Sequence, residues 1–132
     1  MQTTITLAHG NGGEENNELI KKVFYKHFKN EILEKSEDAA VIDNGRLAFT
    51  TDSFTVSPLF FSGGDIGKLA VCGTCNDLSM MGAKPKYMTC SVIIEEGFST
   101  GDLEKIVDIL QNSIIRHYIL IKINQSTNKI NP

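Results

Sequence analysis

A turn dipeptide, Asn44-Gly45, lies between two apolar runs and constrains the fold of this chain more than any other feature. Asparagine followed by glycine tolerates the two positive φ angles of a two-residue type I′ turn. A turn at this point pairs Asp43 with Arg46 and fixes the pairing of every residue further out. The sequence therefore predicts a β-hairpin whose register is set by its turn.

The same register brings acidic residues to the open end of the hairpin. Asp38 falls opposite Thr51, and Glu37 falls opposite Asp52. Like charges across a ladder destabilise it, so the pattern favours a bound cation such as Mg²⁺, which prefers oxygen ligands. The alternative is a set of acids that spread into water, which for an arbitrary protein is the commoner arrangement.

Composition limits the size and class of the protein. The 132 residues, 41% of them hydrophobic, suffice for one globular core and are too few for two. The net charge of −3 and scattered basic residues give no electrostatic basis for binding nucleic acid or anionic membranes. No signal segment and no apolar run of about 20 residues is present. We therefore expect a soluble, cytoplasmic, single-domain protein.

The three cysteines, an odd number, argue against a disulfide framework. Cys72 and Cys75 have Cys-x-x-Cys spacing, but a structural zinc site needs four ligands. Only Cys90 and isolated histidines remain to complete one. Small buried thiols on a helix are the more common arrangement, and metal or redox chemistry stays the alternative.

Apolar periodicity and capping residues predict three helices. The first covers residues 14–29 and carries His27 on its apolar stripe, where a packing histidine is commoner than a catalytic one. The second covers residues 66–81 with Asp65 as its N-cap. Ser99 opens the third helix with a capping-box pattern.

The remaining segments predict strands and a tail. Residues 86–94 and 118–123 are rich in β-formers, whereas residues 54–61 contain Pro58 and indicate an extended or edge segment. Residues 124–132 are polar and patternless, so we expect a mobile tail. The order of elements predicts an α+β fold, with one small mixed or antiparallel sheet and helices on one face. A bare apolar second face favours dimerisation.

The second helix and the loop before it hold further candidate residues. The run from Ser62 to Lys68 lacks the first glycine and the final hydroxyl residue of a Walker phosphate loop, so we reject that motif. A helix N-terminus preceded by glycines can still hold an anion, although Asp65 disfavours it. Asp77 falls on a largely apolar helix face, where an unpaired carboxylate costs several kcal/mol. Together with the hairpin acids, Asp77 indicates a site.

A series of motifs follows in order along residues 3–112. They are His9-Gly-Asn-Gly-Gly13, Glu37-Asp-Ala-Ala-Val41, Thr50-Thr-Asp-Ser-Phe54, Ser57-Pro-Leu-Phe-Phe61, Gly64-Asp-Ile-Gly-Lys-Leu-Ala-Val-Cys-Gly-Thr74, Asn76-Asp-Leu78, Met80-Met-Gly-Ala83 and Ile94-Glu-Glu-Gly-Phe98. The series resembles the hydrogenase maturation protein family HypE. Its shortest elements are shared with aminoimidazole ribonucleotide (AIR) synthetase, selenophosphate synthetase and thiamine-phosphate kinase.

The resemblance implies a PurM-like, AIR synthase-related N-terminal domain over residues 1–123, whose sheet pairs with that of a second subunit into a barrel. It implies Mg-ATP as the cofactor, with Asp38, Asp52 and Asp77 holding the metal. The residues implied to contact ATP and its phosphates are Gly10, Asn11, Gly12, Gly13, Lys68 and Asn76.

HypE proteins use ATP to dehydrate a carbamoyl group on their own C-terminal cysteine, giving a thiocyanate that becomes the cyanide of nickel–iron hydrogenases. The resemblance thus implies the carbamoyltransferase HypF and the HypC–HypD complex as partners, beside a homodimer. After about Asn112 the expected Thr-Gly-Asp-Thr-Lys segment does not follow, and no cysteine lies near the end. We therefore expect no catalytic residue here and no complete reaction from this chain alone.

Two other functions remain open. A structural dimerisation module that does not bind nucleotide would keep the same fold, and Mg-ATP calorimetry would distinguish it. Another ATP-dependent kinase or synthetase domain of the AIR synthase superfamily is disfavoured by the Ser57-Pro-Leu-Phe-Phe61 block. Activity on thiamine phosphate would test that function.

Overall fold

The computed structural model describes residues 4–116 and 119–128. Within that part, no helix is long and apolar enough to cross a membrane. The helices and strands, in chain order, are a 3-10 helix (Leu7–Gly10), α1 (Glu14–Leu19), a π-helical segment (Ile20–Tyr25), α2 (Lys26–Phe28), a second 3-10 helix (Leu33–Lys35), β1 (Ala40–Ile42), β2 (Leu47–Phe49), β3 (Phe60–Phe61), β4 (Gly64–Asp65), α3 (Ile66–Met80), β5 (Tyr87–Glu95), α4 (Thr100–Arg116) and β6 (Leu120–Asn128).

The predicted hairpin and its register are confirmed. β1 and β2 pair antiparallel, with Val41 opposite Ala48. Asn44 and Gly45 have φ angles of 54° and 83°, the two positive values that a type I′ turn requires. Local turn chemistry therefore specifies this element without help from the rest of the fold.

Regular pairing in the hairpin ends at Ala40 and Phe49. The predicted pairings of Asp38 with Thr51 and of Glu37 with Asp52 are therefore wrong. Beyond Phe49 the chain leaves the ladder, and the Thr50 hydroxyl donates to the backbone oxygen of Asp38 at 3.2 Å. The hydrogen bond from the Thr50 side chain thus takes the place of the next backbone hydrogen bond of the ladder, because the chain turns towards α3 at this point.

The core lies between α3, α4 and one face of β5. Its buried residues are Val71, Cys75, Leu110, Ile114 and Ile119, against which Met88 and Cys90 pack. The two helices meet closely at Gly67, where an added Cβ would lie 2.6 Å from the backbone oxygen of Ile106. The predicted placement of helices against one face is confirmed for β5.

The predicted single sheet is wrong, because the described residues form three separate two-stranded ladders. β1–β2 and β3–β4 are antiparallel, whereas β5 and β6 are parallel and joined through α4. Parallel neighbours require such a crossover. The outer face of β5 is open: Tyr87 is 77% exposed and Ile93 is 75% exposed.

β6 begins at Leu120 and ends at Asn128, beyond the predicted end of this strand at residue 123. Residues 124–128, which the sequence assigned to a polar tail, pair through their backbone with β5 up to Glu95. Backbone hydrogen bonds between strands need no apolar side-chain pattern, so the polar sequence did not predict that the strand continues here. Residues 117–118 and 129–132 lie outside the described part of the chain.

Both predicted helix caps are confirmed. The Asp65 carboxylate accepts the Lys68 backbone N–H at 2.8 Å, and the Ser99 hydroxyl accepts that of Asp102 at 3.3 Å. The apolar stripe of the first helical segment, in contrast, is largely exposed, with Phe28 65% exposed. The predicted packing role of His27 is wrong, because its side chain is exposed.

Candidate functional site

Three of the predicted site residues lie together where the end of the hairpin meets α3. Asp77 is half-buried, and this burial raises the pKa of its carboxyl. The charges of Asp52 and then Asp38 raise the pKa of Asp77 further, and a hydrogen bond with Asp52 acts in the same direction. We call Asp38, Asp52 and Asp77 the acid cluster.

A contact between Phe54 and Gly73 explains how Asp52 comes to lie beside Asp77. An added Cβ on Gly73 would lie 2.6 Å from Cζ of Phe54, so the ring rests directly on the helix backbone. Gly73 and Asp77 are one turn apart and therefore on the same face of α3. Asp52 precedes Phe54 closely in the chain, and the ring contact thus holds Asp52 over that face.

Thr50 belongs to the site, although sequence reasoning gave it no role. Its hydroxyl lies within hydrogen-bonding distance of both the backbone oxygen of Asp38 and the Asp77 carboxyl, and it donates its one proton to either of them; donation to Asp77 lowers the pKa of that carboxyl. Thr50 therefore links the end of the hairpin to α3. The only sequence signal was its position directly after β2, within the motif that contains Asp52.

The acid cluster fits magnesium in its chemistry. Carboxylate oxygens are the ligands that Mg²⁺ prefers. Nevertheless, in residues 4–116 and 119–128 no group of three or more His, Cys, Asp or Glu side chains is arranged so that it could hold a metal ion. Because neighbouring carboxylates repel one another, we expect their side chains to adjust when a cation enters. The metal-binding roles stay predictions.

The four predicted nucleotide-contacting residues of the glycine loop, Gly10, Asn11, Gly12 and Gly13, are exposed and lead into α1. Gly12 has a φ of 71°, which disfavours any side chain. The Asn11 N–H donates to the Ala8 oxygen at 3.3 Å. No hydrogen bond between described residues joins this loop to the acid cluster, so its predicted role rests on the sequence resemblance.

The last two predicted nucleotide-contacting residues lie at different distances from the acid cluster. Asn76 is exposed on α3 directly beside Asp77. Lys68 lies in the first turn of α3, about 13 Å from Asp77 along the helix axis. Its Nζ donates to the Gly63 oxygen at 2.6 Å. Asn76 is thus a sequence neighbour of one member of the acid cluster, whereas Lys68 lies apart from the cluster.

The cysteines follow the predicted packing role only in part. Burial raises the pKa of the Cys75 thiol, with a smaller effect from Cys72, and burial also raises the pKa of Cys90. The Cys75 thiol lies in the core, as predicted, and Cys90 of β5 packs against it. Cys72 is exposed, so the prediction of a buried thiol is wrong at that position.

The fold and the acid cluster define a mixed α/β domain with small two-stranded sheets, two packed helices and carboxylates grouped at one edge. The family model of the AIR synthase related protein, N-terminal domain, matches residues 36–117. The chain therefore belongs to this family.

The chain is also similar to named proteins of hydrogenase maturation. It is 46% identical over 110 residues to carbamoyl dehydratase HypE of Escherichia coli (strain K12), covering 78% of this chain and 33% of that protein. The corresponding protein of Rhizobium leguminosarum bv. viciae is 50% identical over 106 residues, covering 79% of this chain and 30% of that protein. The chain thus spans about a third of the length of the curated relatives it matches.

Solved structures give the same result. A HypE–HypF complex matches with a TM-score of 0.76 and 52% identity, covering 83% of this chain and 35% of that chain. HypE in complex with ATP matches with a TM-score of 0.54 and 37% identity, covering 98% of this chain and 40% of that chain. The resemblance to HypE inferred from the sequence motifs is confirmed.

Proposed function

We propose that this chain is the nucleotide-binding and dimerising part of a HypE-like protein and binds Mg-ATP at the acid cluster. The observation that carries the proposal is the environment of Asp77, where burial and the charges of Asp52 and Asp38 all raise its pKa. A carboxylate in such surroundings gains stability from a cation. Three neighbouring carboxylates with only a structural role would gain no stability from one another, because like charges repel.

Every predicted residue except Lys68, which lies apart from the acid cluster, has a defined task in this proposal. Asp38, Asp52 and Asp77 hold the metal, and Asn76 presents its amide beside them. When bound, magnesium neutralises charge on the phosphates. The glycine loop closes over the nucleotide, because backbone N–H groups without side chains can approach phosphate oxygens closely.

The reaction belongs to the whole protein, of which this chain spans about a third of the length. We propose the activity that the name of the relatives states, carbamoyl dehydration. A carbamoyl group on a cysteine would take phosphate from ATP on its amide oxygen. Loss of that phosphate and two protons leaves a thiocyanate, with ADP as the other product. Phosphorylation turns the oxygen into a good leaving group.

The proposed partners follow from the same comparisons and from the exposed surface. The matched HypE–HypF complex supports a HypF-type partner, and we propose the HypC–HypD complex as the next one. The open face of β5 supports a homodimer, because the side chains of Tyr87 and Ile93 point away from the core. We propose that the two sheets pair into a barrel in that dimer.

Calorimetry with Mg-ATP tests the proposed function. We expect weak binding that disappears when EDTA replaces magnesium, because the carboxylates repel a nucleotide that carries no metal. Binding of equal strength with and without the metal would contradict a role for the acid cluster. Dimers that bind no nucleotide would favour the structural dimerisation module, for which the bare face of β5 is the specific observation.

A further inference from the structure

Two thiols of α3 lie about one helical turn apart and have no role in the proposed function. Cys72 is exposed, whereas Cys75 belongs to the buried core. Residues three apart on a helix are neighbours on its surface. Burial raises the pKa of the Cys75 thiol, and the charge of ionised Cys72 raises it further, as expected for two nearby sulfurs. An accessible thiol next to a second thiol is typical of cysteine pairs that undergo reversible oxidation.

A disulfide between Cys72 and Cys75 is within reach but strains the helix. Cα atoms three residues apart in an α-helix are separated by about 5 Å, a distance that a disulfide tolerates. The corresponding Cβ atoms are about 5 to 6 Å apart and would have to approach to about 3.8 Å. The helix backbone between the two cysteines must therefore distort. Strained disulfides are readily reduced again, which is a property of regulatory ones.

The segment between the two cysteines carries the contact that positions the acid cluster. The bond would enclose Gly73, on whose backbone the Phe54 ring rests. An added Cβ at Gly73 would lie 2.6 Å from Cζ of Phe54, so the ring and the helix backbone are in direct contact. Phe54 holds Asp52 over this face of α3, and Asp77 lies one turn beyond Gly73 on the same face. A distortion at Gly73 therefore acts on both acids.

We propose that Cys72 and Cys75 are a site of reversible oxidation by glutathione disulfide, and that the bond between them displaces Phe54 and loosens the acid cluster. The site goes beyond the proposed function, and only its effect on Mg-ATP binding rests on that function. The competing explanation is that the two thiols are independent, one a core side chain and the other a surface side chain.

The oxidation proceeds by two thiol–disulfide exchanges. The exposed Cys72 thiolate attacks one sulfur of glutathione disulfide, which forms a mixed disulfide and releases one glutathione. Cys75 then attacks the Cys72 sulfur and releases the second glutathione. Two electrons pass from the cysteine pair to glutathione disulfide, and the two thiol protons leave on the two glutathione molecules. Reduced glutathione reverses both steps.

Peptide mapping by mass spectrometry tests for the bond without nucleotide. Trypsin releases residues 69–86 as one peptide that contains both thiols of the pair, whereas Cys90 lies in the next peptide. After incubation with glutathione disulfide, we expect residues 69–86 to have lost two hydrogen atoms. Cys75→Val keeps an apolar core side chain of similar size and should instead retain glutathione on Cys72. Cys90→Ala is the matched control and should form the bond as wild type does.

Two further measurements follow the effect of the bond on the acid cluster. In ¹H–¹³C NMR, we expect the ring resonances of Phe54 to move on oxidation and to return when reduced glutathione is added. In calorimetry, oxidation should weaken Mg-ATP binding by about tenfold, as for one lost charge-assisted contact. Both measurements use the wild-type chain, so they decide the question even if Cys75→Val fails to fold.

Each result has one consequence. A bond within residues 69–86 that moves the Phe54 resonances and weakens Mg-ATP binding supports the inference. It is overturned by the absence of the bond, by a bond to Cys90, by stationary Phe54 resonances, or by equal Mg-ATP affinity of the reduced and oxidised forms. If the reduced wild-type chain does not bind Mg-ATP, the proposed function falls, and the peptide map and the Phe54 resonances still decide this inference.

Discussion

Asp77 is the residue of the acid cluster whose ionisation is disfavoured by its surroundings. Burial and the charges of Asp52 and Asp38 raise its pKa, and the hydrogen bond from Thr50 offsets only part of that effect. The native state therefore binds a proton at Asp77 more tightly than the unfolded state does. Stability is highest below the unfolded pKa and falls as the pH rises through the raised folded pKa.

Asp77→Asn should stabilise the metal-free protein at pH 7, by about 0.5 kcal/mol, which is typical of a partly solvated charge interaction. The gain should vanish near pH 3, where the wild-type carboxyl is protonated in both states. Urea unfolding in EDTA at the two pH values measures this difference in the free energy of unfolding between Asp77→Asn and wild type. Asp108→Asn, which removes a carboxylate from the exposed side of α4, is the matched control. A gain of equal size at both pH values would show that ionisation of Asp77 is not the cause.

The grouping of the acids was predictable from motif residues, whereas the position of Thr50 was not. Asp52 lies in a family motif, and the apolar face of α3 singled out Asp77. The hydroxyl of Thr50 has its partners only because the hairpin end meets α3 beside Asp38. Such a contact depends on tertiary placement, which no local pattern encodes.

Among the elements, α3 and α4 depend on a glycine at their crossing point. A Cβ at Gly67 would lie 2.6 Å from the Ile106 oxygen and 3.1 Å from Cβ of Leu110. The first of these atoms belongs to the backbone of α4, so it cannot move aside cheaply. The glycine thus sets how closely the two helices pack.

Gly67→Ala should therefore destabilise the fold by about 1 to 3 kcal/mol, the usual cost of overpacking. This cost outweighs the gain of up to about 1 kcal/mol that alanine brings to a helix interior. Gly101→Ala is the matched control, because its added Cβ meets nothing closer than 3.8 Å. Thermal unfolding should show a lower Tm only for Gly67→Ala. A Tm equal to or above that of wild type would contradict the close approach.

Elements with a local signal were predictable, and elements that depend on partners were not. The turn at Asn44-Gly45 and the cap at Asp65 follow from residue chemistry, and both are confirmed. The parallel pairing of β6 up to Asn128 depends on β5, so its polar sequence gave no indication. The periodicity of the first helix correctly predicted an apolar stripe. It did not predict that the stripe is exposed, because periodicity does not show whether another element of the fold packs against the stripe.

At the scale of the whole molecule, apolar side chains remain exposed on more than one side. The outer face of β5 carries Tyr87 and Ile93, and the first helical segment carries Phe24 and Phe28. Burial of such surface contributes about 25 cal/mol per Å². A chain with these faces is expected to associate.

Ile93→Lys should weaken self-association at least about tenfold, because the dimer would have to bury an unpaired ammonium group. Val107→Lys on α4, where the side chain is 41% exposed, should leave association unchanged. Sedimentation equilibrium over a range of concentrations measures both variants against wild type. A wild-type chain that stays monomeric at every concentration would rule out the proposed dimer.

The most direct test of metal and nucleotide binding at the acid cluster is the affinity for Mg-ATP of wild type, Asp52→Asn and Asp43→Asn, measured by calorimetry. Both variants remove one carboxylate from the same hairpin, but Asp43 lies in the turn, paired with Arg46 at 2.9 Å, away from the acid cluster. We expect binding weaker than micromolar for wild type, the same for Asp43→Asn, and none for Asp52→Asn. Micromolar or tighter binding that Asp52→Asn leaves unchanged would show that the acid cluster does not bind the nucleotide's metal.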